Sequence, residues 1–301
     1  GGVIVAGRRR KKSGGRSYAW RYRGRIVACV FVEVIIICAL VIMIGWNKGV
    51  KEWFEQFEQP VLKEVDISGI NSPNAILMQA RGGKILGEIN GEAQIYPASM
   101  TKIMTVILGI ENFDNLDEKI TLTNEMFSGL YEQDATQAGF QPGEEVRVID
   151  LLYGAMLPSG AECCIALADT ISGSEADFAE LMNKKARKLG MENTHFCDST
   201  GLHNPDHYST VKDIAVLMKY CIKNDTFREI VETSRHSTGV TNIHPDGITY
   251  YSTMFKNLSD PTVTGGKILG GKTGYTSEAG HCLVSFAEIE GREYIFVSAG
   301  A

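Results

Sequence analysis

The chain has 301 residues, of which 44% are hydrophobic and 22% charged. This composition is typical of a globular protein and excludes a disordered or fibrous chain. The formal net charge is −6, yet the first 25 residues hold nine Lys or Arg and no acid, so the remaining 276 residues carry −15. Two regions of opposite charge are therefore joined in one chain.

The basic run at residues 8–12, taken alone, is also typical of nucleic-acid-binding segments. It is followed by 21 residues, 26–46, whose single charge is Glu33. At about 1.5 Å rise per residue, a helix of this length crosses the bilayer core of about 30 Å. The segment lacks the small-residue cleavage site of a signal peptide. We therefore predict an uncleaved transmembrane helix and no nucleic-acid partner.

The distribution of basic residues predicts the orientation of this anchor. Lys and Arg are dense before residue 26, whereas the other side has only Lys48 and Lys51 among nearby acids. The positive-inside rule then places residues 1–25 in the cytoplasm as a basic tail. We expect residues 26–46 to be the anchor, 47–67 a linker, and 68–301 one domain on the outer face of the cell membrane.

This domain is predicted to begin and end with β-strands. Two short β-type runs, at 74–80 and 84–88, flank the turn signal Gly82-Gly83, and two more, at 282–289 and 293–298, end the chain. We therefore expect an α/β fold in which an antiparallel sheet is built from N- and C-terminal strands around a mostly helical insert. Apolar residues at three- and four-residue spacing predict the helices of that insert, over 99–110, 148–157, 161–171, 175–189 and 211–223.

The sequence after the anchor gives little support for cofactor chemistry. Its five cysteines, an odd number, show neither a disulfide framework nor the spacing of zinc ligands. It also lacks a Gly-rich phosphate loop and a helical His pair. We expect no metal and no cofactor.

Three short motifs follow one another along the domain: Ser99-Met100-Thr101-Lys102, Ser159-Gly160-Ala161 and Lys272-Thr273-Gly274. A serine hydroxyl is a weak nucleophile until a base takes its proton, and Lys102 lies one helical turn after Ser99. To act as that base Lys102 must be neutral, so burial and nearby cations such as Lys272 must lower its pKa from about 10.4. The spacing predicts a nucleophile and its base.

The other two motifs supply the remaining roles. Ser159 falls between two predicted helices, where a turn can hold its hydroxyl toward a cleft and pass a proton to a leaving amine. Lys272 and the Thr273 hydroxyl attract a substrate carboxylate. Gly274 permits close approach of the backbone.

The backbone N–H groups of Ser99 and Tyr275 are expected to form an oxyanion hole. Any one motif alone also occurs by chance, in a surface helix or a loop, whereas the three in this order are far more specific. The predicted site comprises catalytic residues Ser99, Lys102 and Ser159 and substrate-binding residues Lys272, Thr273, Gly274 and Tyr275.

Together these motifs resemble the S-x-x-K and K-T-G motifs of serine β-lactamases and penicillin-binding proteins. More closely, the chain is similar to the D-alanyl-D-alanine carboxypeptidases, the low-molecular-mass penicillin-binding proteins. The similarity runs from about residue 74 to the C-terminus. It includes, in the family's order, Pro97-Ala98-Ser99-Met100-Thr101-Lys102, Gly190-Met191-Glu192-Asn193-Thr194, Thr200-Gly201-Leu202, His207-Tyr208-Ser209-Thr210 and Gly271-Lys272-Thr273-Gly274-Tyr275-Thr276.

This resemblance implies a β-lactamase/transpeptidase-like fold. It also implies removal of the terminal D-Ala from peptidoglycan stem peptides through an acyl-enzyme on Ser99. β-Lactam antibiotics, which imitate the D-Ala-D-Ala end, are expected to acylate the same serine as covalent inhibitors.

Two features depart from the family pattern. Ala161 stands where the family usually has the Asn that holds the substrate amide, and we expect this change to lower activity or alter substrate preference. The chain also ends just after its last β-type run, where relatives continue with a helix and often a further β-rich domain. We therefore expect a C-terminally truncated domain.

Two other functions fit part of the pattern. A β-lactamase shares the nucleophile and K-T-G, but its class A form needs a glutamate that activates water, and no E-x-x-L-N segment lies between Ser159 and Lys272. A non-catalytic wall-binding or scaffolding protein of the same fold would account for Ala161 and the short C-terminus. Penicillin labelling that depends on Ser99 distinguishes an enzyme from such a scaffold.

Overall fold

The computed structural model describes residues 63–258 and 260–301. The predicted basic tail, the predicted anchor and most of the predicted linker lie outside the described residues. In the part of the chain that is described, no helix is both long and apolar enough to span a membrane.

Strands open and close the described chain. The strands, in chain order, are β1 (Asn74–Gln79), β2 (Ile85–Ile89), β3 (Lys119–Thr121), β4 (Glu145–Arg147), β5 (Arg235–Ser237), β6 (Thr249–Tyr251), β7 (Thr262–Val263), β8 (Gly266–Thr276), β9 (Gly280–Ile289) and β10 (Arg292–Ala299). Six of them form an antiparallel sheet in the order β2-β1-β10-β9-β8-β7. Pairing of β1 with β10 sets Asn74 opposite Ala299, which confirms that N- and C-terminal strands share one sheet.

The helices come from the middle of the chain, as predicted. They are α1 (Lys102–Asn112), α2 (Val148–Met156), α3 (Ala161–Ser172), α4 (Glu175–Leu189), α5 (Val211–Cys221), α6 (Asp225–Glu232) and α7 (Thr253–Asn257). Helix α1 packs against α2, α3 and α5, and α5 packs on β1 and β10. Because Ile103, Met104 and Ile107 of α1 are fully buried, α1 lies in the hydrophobic core rather than on the surface.

Local signals fix the ends of the helices. The Thr210 hydroxyl accepts a hydrogen bond from the Asp213 N–H at 3.0 Å and so forms the N-cap of α5. Gly190 ends α4 in the left-handed conformation with φ +77°. These caps provide hydrogen-bond partners for backbone groups that the helix ends leave without one.

The structure adds elements that the sequence pattern did not predict. Lys272-Thr273-Gly274, for which no strand was predicted, lies inside β8, where it pairs with 282–284 of β9. Helix α6 and the two-stranded sheets β3-β4 and β5-β6 were also not predicted. Strands of three residues contain too few alternations for a period of two to be recognised.

Candidate active site

The nucleophile and its base meet where the chain enters α1. A 3₁₀ helix, Ala98–Thr101, carries Ser99 and leads directly into α1, whose first residue is Lys102. The Lys102 Nζ lies 3.0 Å from the Ser99 Oγ and 2.7 Å from the Thr200 carbonyl oxygen. The predicted one-turn spacing therefore gives direct contact between the amine and the hydroxyl.

Ser159 reaches the same hydroxyl from the loop between α2 and α3. Its Oγ donates to the Ser99 Oγ at 3.0 Å, although the two residues are 60 positions apart. Ser159 has φ +73°, a conformation that is costly for a residue with a side chain. This strained turn directs the hydroxyl to Ser99.

The third motif forms one wall of the site through β8. The Lys272 Nζ donates to the Thr273 carbonyl oxygen at 2.8 Å, and the Thr273 hydroxyl lies 2.7 Å from that of Thr253. A Cβ added to Gly274 would lie 3.0 Å from the Ser99 backbone nitrogen, so β8 approaches Ser99 closely. Exposed Tyr275 follows on the strand.

These side chains face a cleft of about 530 Å³. The lining of this cleft contains all of the predicted site residues except Lys102. Lys102 contacts the Ser99 hydroxyl but does not line the cleft. The lining also contains residues that sequence reasoning missed, namely Asp134, Thr136, Thr253, Asn257 and His281. No local pattern marks these residues, because tertiary contacts alone bring them to the cleft.

Burial lowers the pKa of both lysine amines in the site. Lys102 is 4% exposed and Lys272 only 1%, so removal from water is the main cause in each case. The positive charge of Lys102 lowers the pKa of Lys272 further. Because two neighbouring cations repel, the pair favours states in which one amine is neutral and able to accept a proton.

The turn that presents the carbonyl to Lys102 is held by a partly buried carboxylate. Asp198 Oδ1 accepts the backbone N–H groups of Thr200 at 2.8 Å and Gly201 at 2.7 Å. Burial raises the pKa of Asp198, but hydrogen bonds and charge from His207, with Thr200, outweigh it and lower the pKa to about 2. Thr200 and Gly201 belong to a segment that resembles the family, but sequence reasoning did not identify Asp198 as the residue that supports their turn.

Ala161 and Glu162 connect the Ser159 turn to the opposite loop. The Ala161 N–H donates to the Thr136 carbonyl oxygen at 2.8 Å. Glu162 is fully buried, and its Oε1 accepts the N–H groups of Ala138 at 2.6 Å and Gly139 at 2.9 Å. The loop that carries Asp134 and Thr136 is thus attached to Glu162, three residues after Ser159.

The described residues contain no group of three or more His, Cys, Asp or Glu side chains that could hold a metal ion. Around the Ser99 hydroxyl, the cleft lining provides the hydroxyls of Ser159 and Thr273 and the amine of Lys272. A serine beside a neutral amine, with a second hydroxyl and an adjacent strand edge, suits acyl transfer.

Residues 61–301 match the family model of D-alanyl-D-alanine carboxypeptidases. The chain is 34% identical over 232 residues to D-alanyl-D-alanine carboxypeptidase DacF of Bacillus subtilis, covering 76% of this chain and 57% of the relative. It is 37% identical over 205 residues to the D-alanyl-D-alanine carboxypeptidase of Streptomyces sp. K15, covering 65% and 69%. The chain thus spans less than two thirds of the Bacillus relative's length.

Solved structures give the same result for the fold. The crystal structure of the Streptomyces K15 DD-transpeptidase superposes with a TM-score of 0.70 at 30% sequence identity, covering 78% of this chain and 92% of that chain. A D-alanyl-D-alanine carboxypeptidase from Mycobacterium tuberculosis, 21% identical, shares the fold with a TM-score of 0.69 and coverage of 79% and 86%. With the matched family model covering most of its length, the chain belongs to the D-alanyl-D-alanine carboxypeptidase family.

Proposed function

We propose that the protein is a serine-type carboxypeptidase that removes the terminal D-Ala from peptidoglycan stem peptides. The observation that carries this proposal is the position of the Ser99 Oγ, 3.0 Å from both the Lys102 Nζ and the Ser159 Oγ. The family to which the chain belongs supports the choice of substrate.

In the first step, neutral Lys102 takes the Ser99 proton while the Ser99 Oγ attacks the carbonyl of the D-Ala-D-Ala bond. The backbone N–H groups of Ser99 and Tyr275 stabilise the oxyanion, and Lys272 with Thr273 attracts the terminal carboxylate. As the C–N bond breaks, Ser159 gives its proton to the leaving amine of D-Ala and takes the proton that Lys102 removed from Ser99, which leaves Lys102 neutral again.

In the second step, water attacks the Ser99 ester and neutral Lys102 takes a proton from that water. As the ester bond breaks, Lys102 gives this proton to the Ser99 Oγ, and the stem peptide leaves with a new carboxylate. An amine in place of the water would give transpeptidation by the same route. β-Lactams, as mimics of the D-Ala-D-Ala end, would acylate Ser99 and act as covalent inhibitors.

Two alternative functions, a scaffolding protein and a β-lactamase, predict a different reaction with penicillin. A catalytically impaired wall-binding or scaffolding protein needs no nucleophile, whereas the two close contacts of the Ser99 hydroxyl are what a nucleophile requires. A β-lactamase would hydrolyse penicillin rapidly rather than be trapped by it.

We also propose that the enzyme is a single-pass membrane protein with its catalytic domain on the outer face. The apolar segment 26–46 and the basic residues before it support this placement. Stem peptides are exposed on that side of the membrane, so the placement is consistent with the proposed substrate.

The test is release of D-Ala from diacetyl-Lys-D-Ala-D-Ala by the 301-residue chain. We expect release that is lost in the Ser99→Ala variant and stops when penicillin is added. Folded chain that neither releases D-Ala nor reacts with penicillin would contradict the proposal and favour the scaffold, and Ala161→Asn would then show whether the missing amide is the cause.

A further inference from the structure

His207 belongs to a segment that resembles the family, but the proposed mechanism gives it no role. Its side chain is only 2% exposed. The imidazole Nε2 lies 2.8 Å from the Oγ1 of Thr101, which is part of the S-x-x-K motif. On the other side of the imidazole, Nδ1 lies 3.2 Å from the Asp198 Oδ2. His207 therefore connects the S-x-x-K motif to the Asp198 carboxylate.

The contacts of Asp198 continue this connection as far as the base. Its other oxygen, Oδ1, accepts the backbone N–H groups of Thr200 and Gly201. The Thr200 carbonyl oxygen in turn accepts from the Lys102 Nζ at 2.7 Å. The chain of contacts thus begins at Thr101 and ends at Lys102, its neighbour in the sequence.

The charge of Asp198 determines how the imidazole is protonated. With its pKa lowered to about 2, Asp198 is an ionised carboxylate that only accepts hydrogen bonds, so the proton on Nδ1 points to it. The Cys197 N–H also lies 3.2 Å from Nδ1, but the charged carboxylate is the stronger partner. In a neutral imidazole Nε2 is then left to accept the Thr101 hydroxyl.

The Thr200 carbonyl sets the direction of the Lys102 amine. A neutral amine has two N–H groups and one lone pair. With one N–H on the Thr200 carbonyl, the lone pair can face the Ser99 Oγ, which lies 3.0 Å away. Displacement of the carbonyl would turn the lone pair away from the proton that it accepts, and a misplacement of about 1 Å can cost roughly a hundredfold in rate.

We propose that His207 is a positioning residue for acyl transfer, which ties the turn of residues 198–201 to Thr101 and so fixes the direction of the Lys102 amine. His207 does not line the cleft, so it acts through Lys102 and not on the substrate. The inference rests on the proposed function, because it takes Lys102 as the base.

Loss of the imidazole should also change the pKa of Lys102. Burial lowers this pKa, and the negative charge of Asp198 opposes the shift. Without His207, a displaced Thr200 carbonyl would no longer favour the protonated amine, and Asp198 would be protonated more readily. Both changes lower the pKa of Lys102 further. The substitution leaves in place the other titratable groups around the amine, which are Lys272 of β8 and Glu162, Cys163 and Cys164 of α3.

The experiment measures acylation by a fluorescent penicillin in the 301-residue chain and in its His207→Ala variant. We expect the acylation rate constant at neutral pH to fall roughly tenfold to a hundredfold, with the dissociation constant of the non-covalent complex unchanged. Because only neutral Lys102 accepts the proton, the acidic limb of the pH profile should move to lower pH. His195→Ala, which replaces an exposed histidine outside this chain of contacts, is the matched control and should change neither quantity.

Two further variants distinguish positioning from a merely structural role, and they carry the test if His207→Ala does not fold. The amide of His207→Asn can take the place of Nδ1 and donate to Asp198, so this variant should recover most of the rate and the parent pH profile. The longer His207→Gln side chain reaches Thr101 instead and should stay slow. Equal rates in these two variants, or a slow His207→Ala variant with an unmoved acidic limb, would overturn the inference.

Titration of Lys102 separates the inference from the proposed function. In a chain labelled with carbon-13 at the lysine Cε, the NMR signal that is absent from Lys102→Met reports this pKa without any reaction. A lower pKa in His207→Ala and His207→Gln, and the parent pKa in His207→Asn, supports the inference even if the parent chain does not react with penicillin. An unchanged pKa in His207→Ala would overturn it while leaving carboxypeptidase activity intact.

Discussion

Lys272 illustrates how a residue of this site opposes folding. Its amine is fully buried and donates only to the Thr273 carbonyl oxygen among the bonds of the described residues. Burying an amine costs free energy, because the charged form loses its water. The residue is placed for substrate binding rather than for stability.

We expect Lys272→Met to raise the free energy of unfolding by about 1 to 3 kcal/mol at neutral pH while abolishing D-Ala release. Burial lowers the pKa of Lys272 in the folded chain, so between that pKa and about 10.4 the unfolded chain binds the extra proton. Stability of the parent chain therefore rises with pH in this range, and the advantage of Met should shrink toward about pH 10.

Urea unfolding at both pH values measures this difference. Lys267→Met, at an exposed position of the same strand, is the control and should change stability by no more than about 0.5 kcal/mol at either pH. A Lys272→Met variant that is less stable than the parent at neutral pH would show that the amine stabilises the fold.

Gly201 holds the turn that presents the Thr200 carbonyl to Lys102. It has φ +79°, and a Cβ there would overlap the Ala98 carbonyl oxygen beside Ser99. Gly173 has a similar φ of +84° with nothing within 4 Å of an added Cβ. The two glycines thus separate backbone strain from steric overlap.

For Gly173→Ala we expect a loss of about 1 kcal/mol, the usual cost of a left-handed alanine. Gly201→Ala should lose at least about 3 kcal/mol and react more slowly with penicillin, because the 98–99 segment must move. Thermal unfolding and the rate of fluorescent-penicillin labelling give both quantities. Similar losses in the two variants would mean that the turn moves away from Ala98 without cost.

At the scale of elements, the cleft depends on how α3 is joined to the loop before β4. Buried Glu162, in the first turn of α3, accepts two N–H groups from 138–139 of that loop. Loss of the carboxylate would remove the partner of both N–H groups, which lie in a partly buried contact, at a cost of roughly 1 to 2 kcal/mol each. The same loop carries Asp134 and Thr136 into the cleft lining.

We therefore expect Glu162→Ala to destabilise the protein by about 2 to 4 kcal/mol and to slow acylation by penicillin. Glu162→Gln keeps one acceptor oxygen and should recover most of both properties. Denaturant unfolding measures the stability, and the rate of penicillin labelling measures the acylation. Glu180→Ala, at an exposed position of α4, is the control. A Glu162→Ala variant with normal stability and slow acylation would instead assign the carboxylate a direct part in the reaction.

The elements differ in how much of them the sequence reveals. Helices α2, α3 and α4 were predicted almost to the residue, because their apolar spacing is regular over two turns or more. Strand β8 was not, since its segment Gly266–Thr276 contains four glycines and little apolar alternation, and its pairing with β9 is a long-range property. Likewise Ser99 and Lys102 are neighbours on one helical turn, whereas Asp198 and Thr253 join the site only through tertiary folding.

At the scale of the whole molecule, the first and last described strands, β1 and β10, pair with each other within one six-stranded sheet. Residues far apart in the sequence, such as Ser99 and Lys272, line the same cleft because the 3₁₀ helix Ala98–Thr101 packs directly on strand β8. The site is therefore assembled only when the whole domain is folded, so global unfolding and loss of penicillin labelling should coincide.

The proposed topology predicts opposite labelling of the two ends of the chain. In a background in which Cys29, Cys38 and Cys197 are replaced by Ser, the four remaining cysteines are all buried, so an added exposed cysteine dominates the reaction. Tyr131, 86% exposed, is replaced by Cys in one variant, and Ser13 of the basic tail in another. A maleimide that does not cross membranes should label the Tyr131→Cys variant on intact spheroplasts and the Ser13→Cys variant only after lysis, because the positive-inside rule keeps the basic tail in the cytoplasm. The reverse pattern would place the domain inside the cell and, with it, away from its proposed substrate.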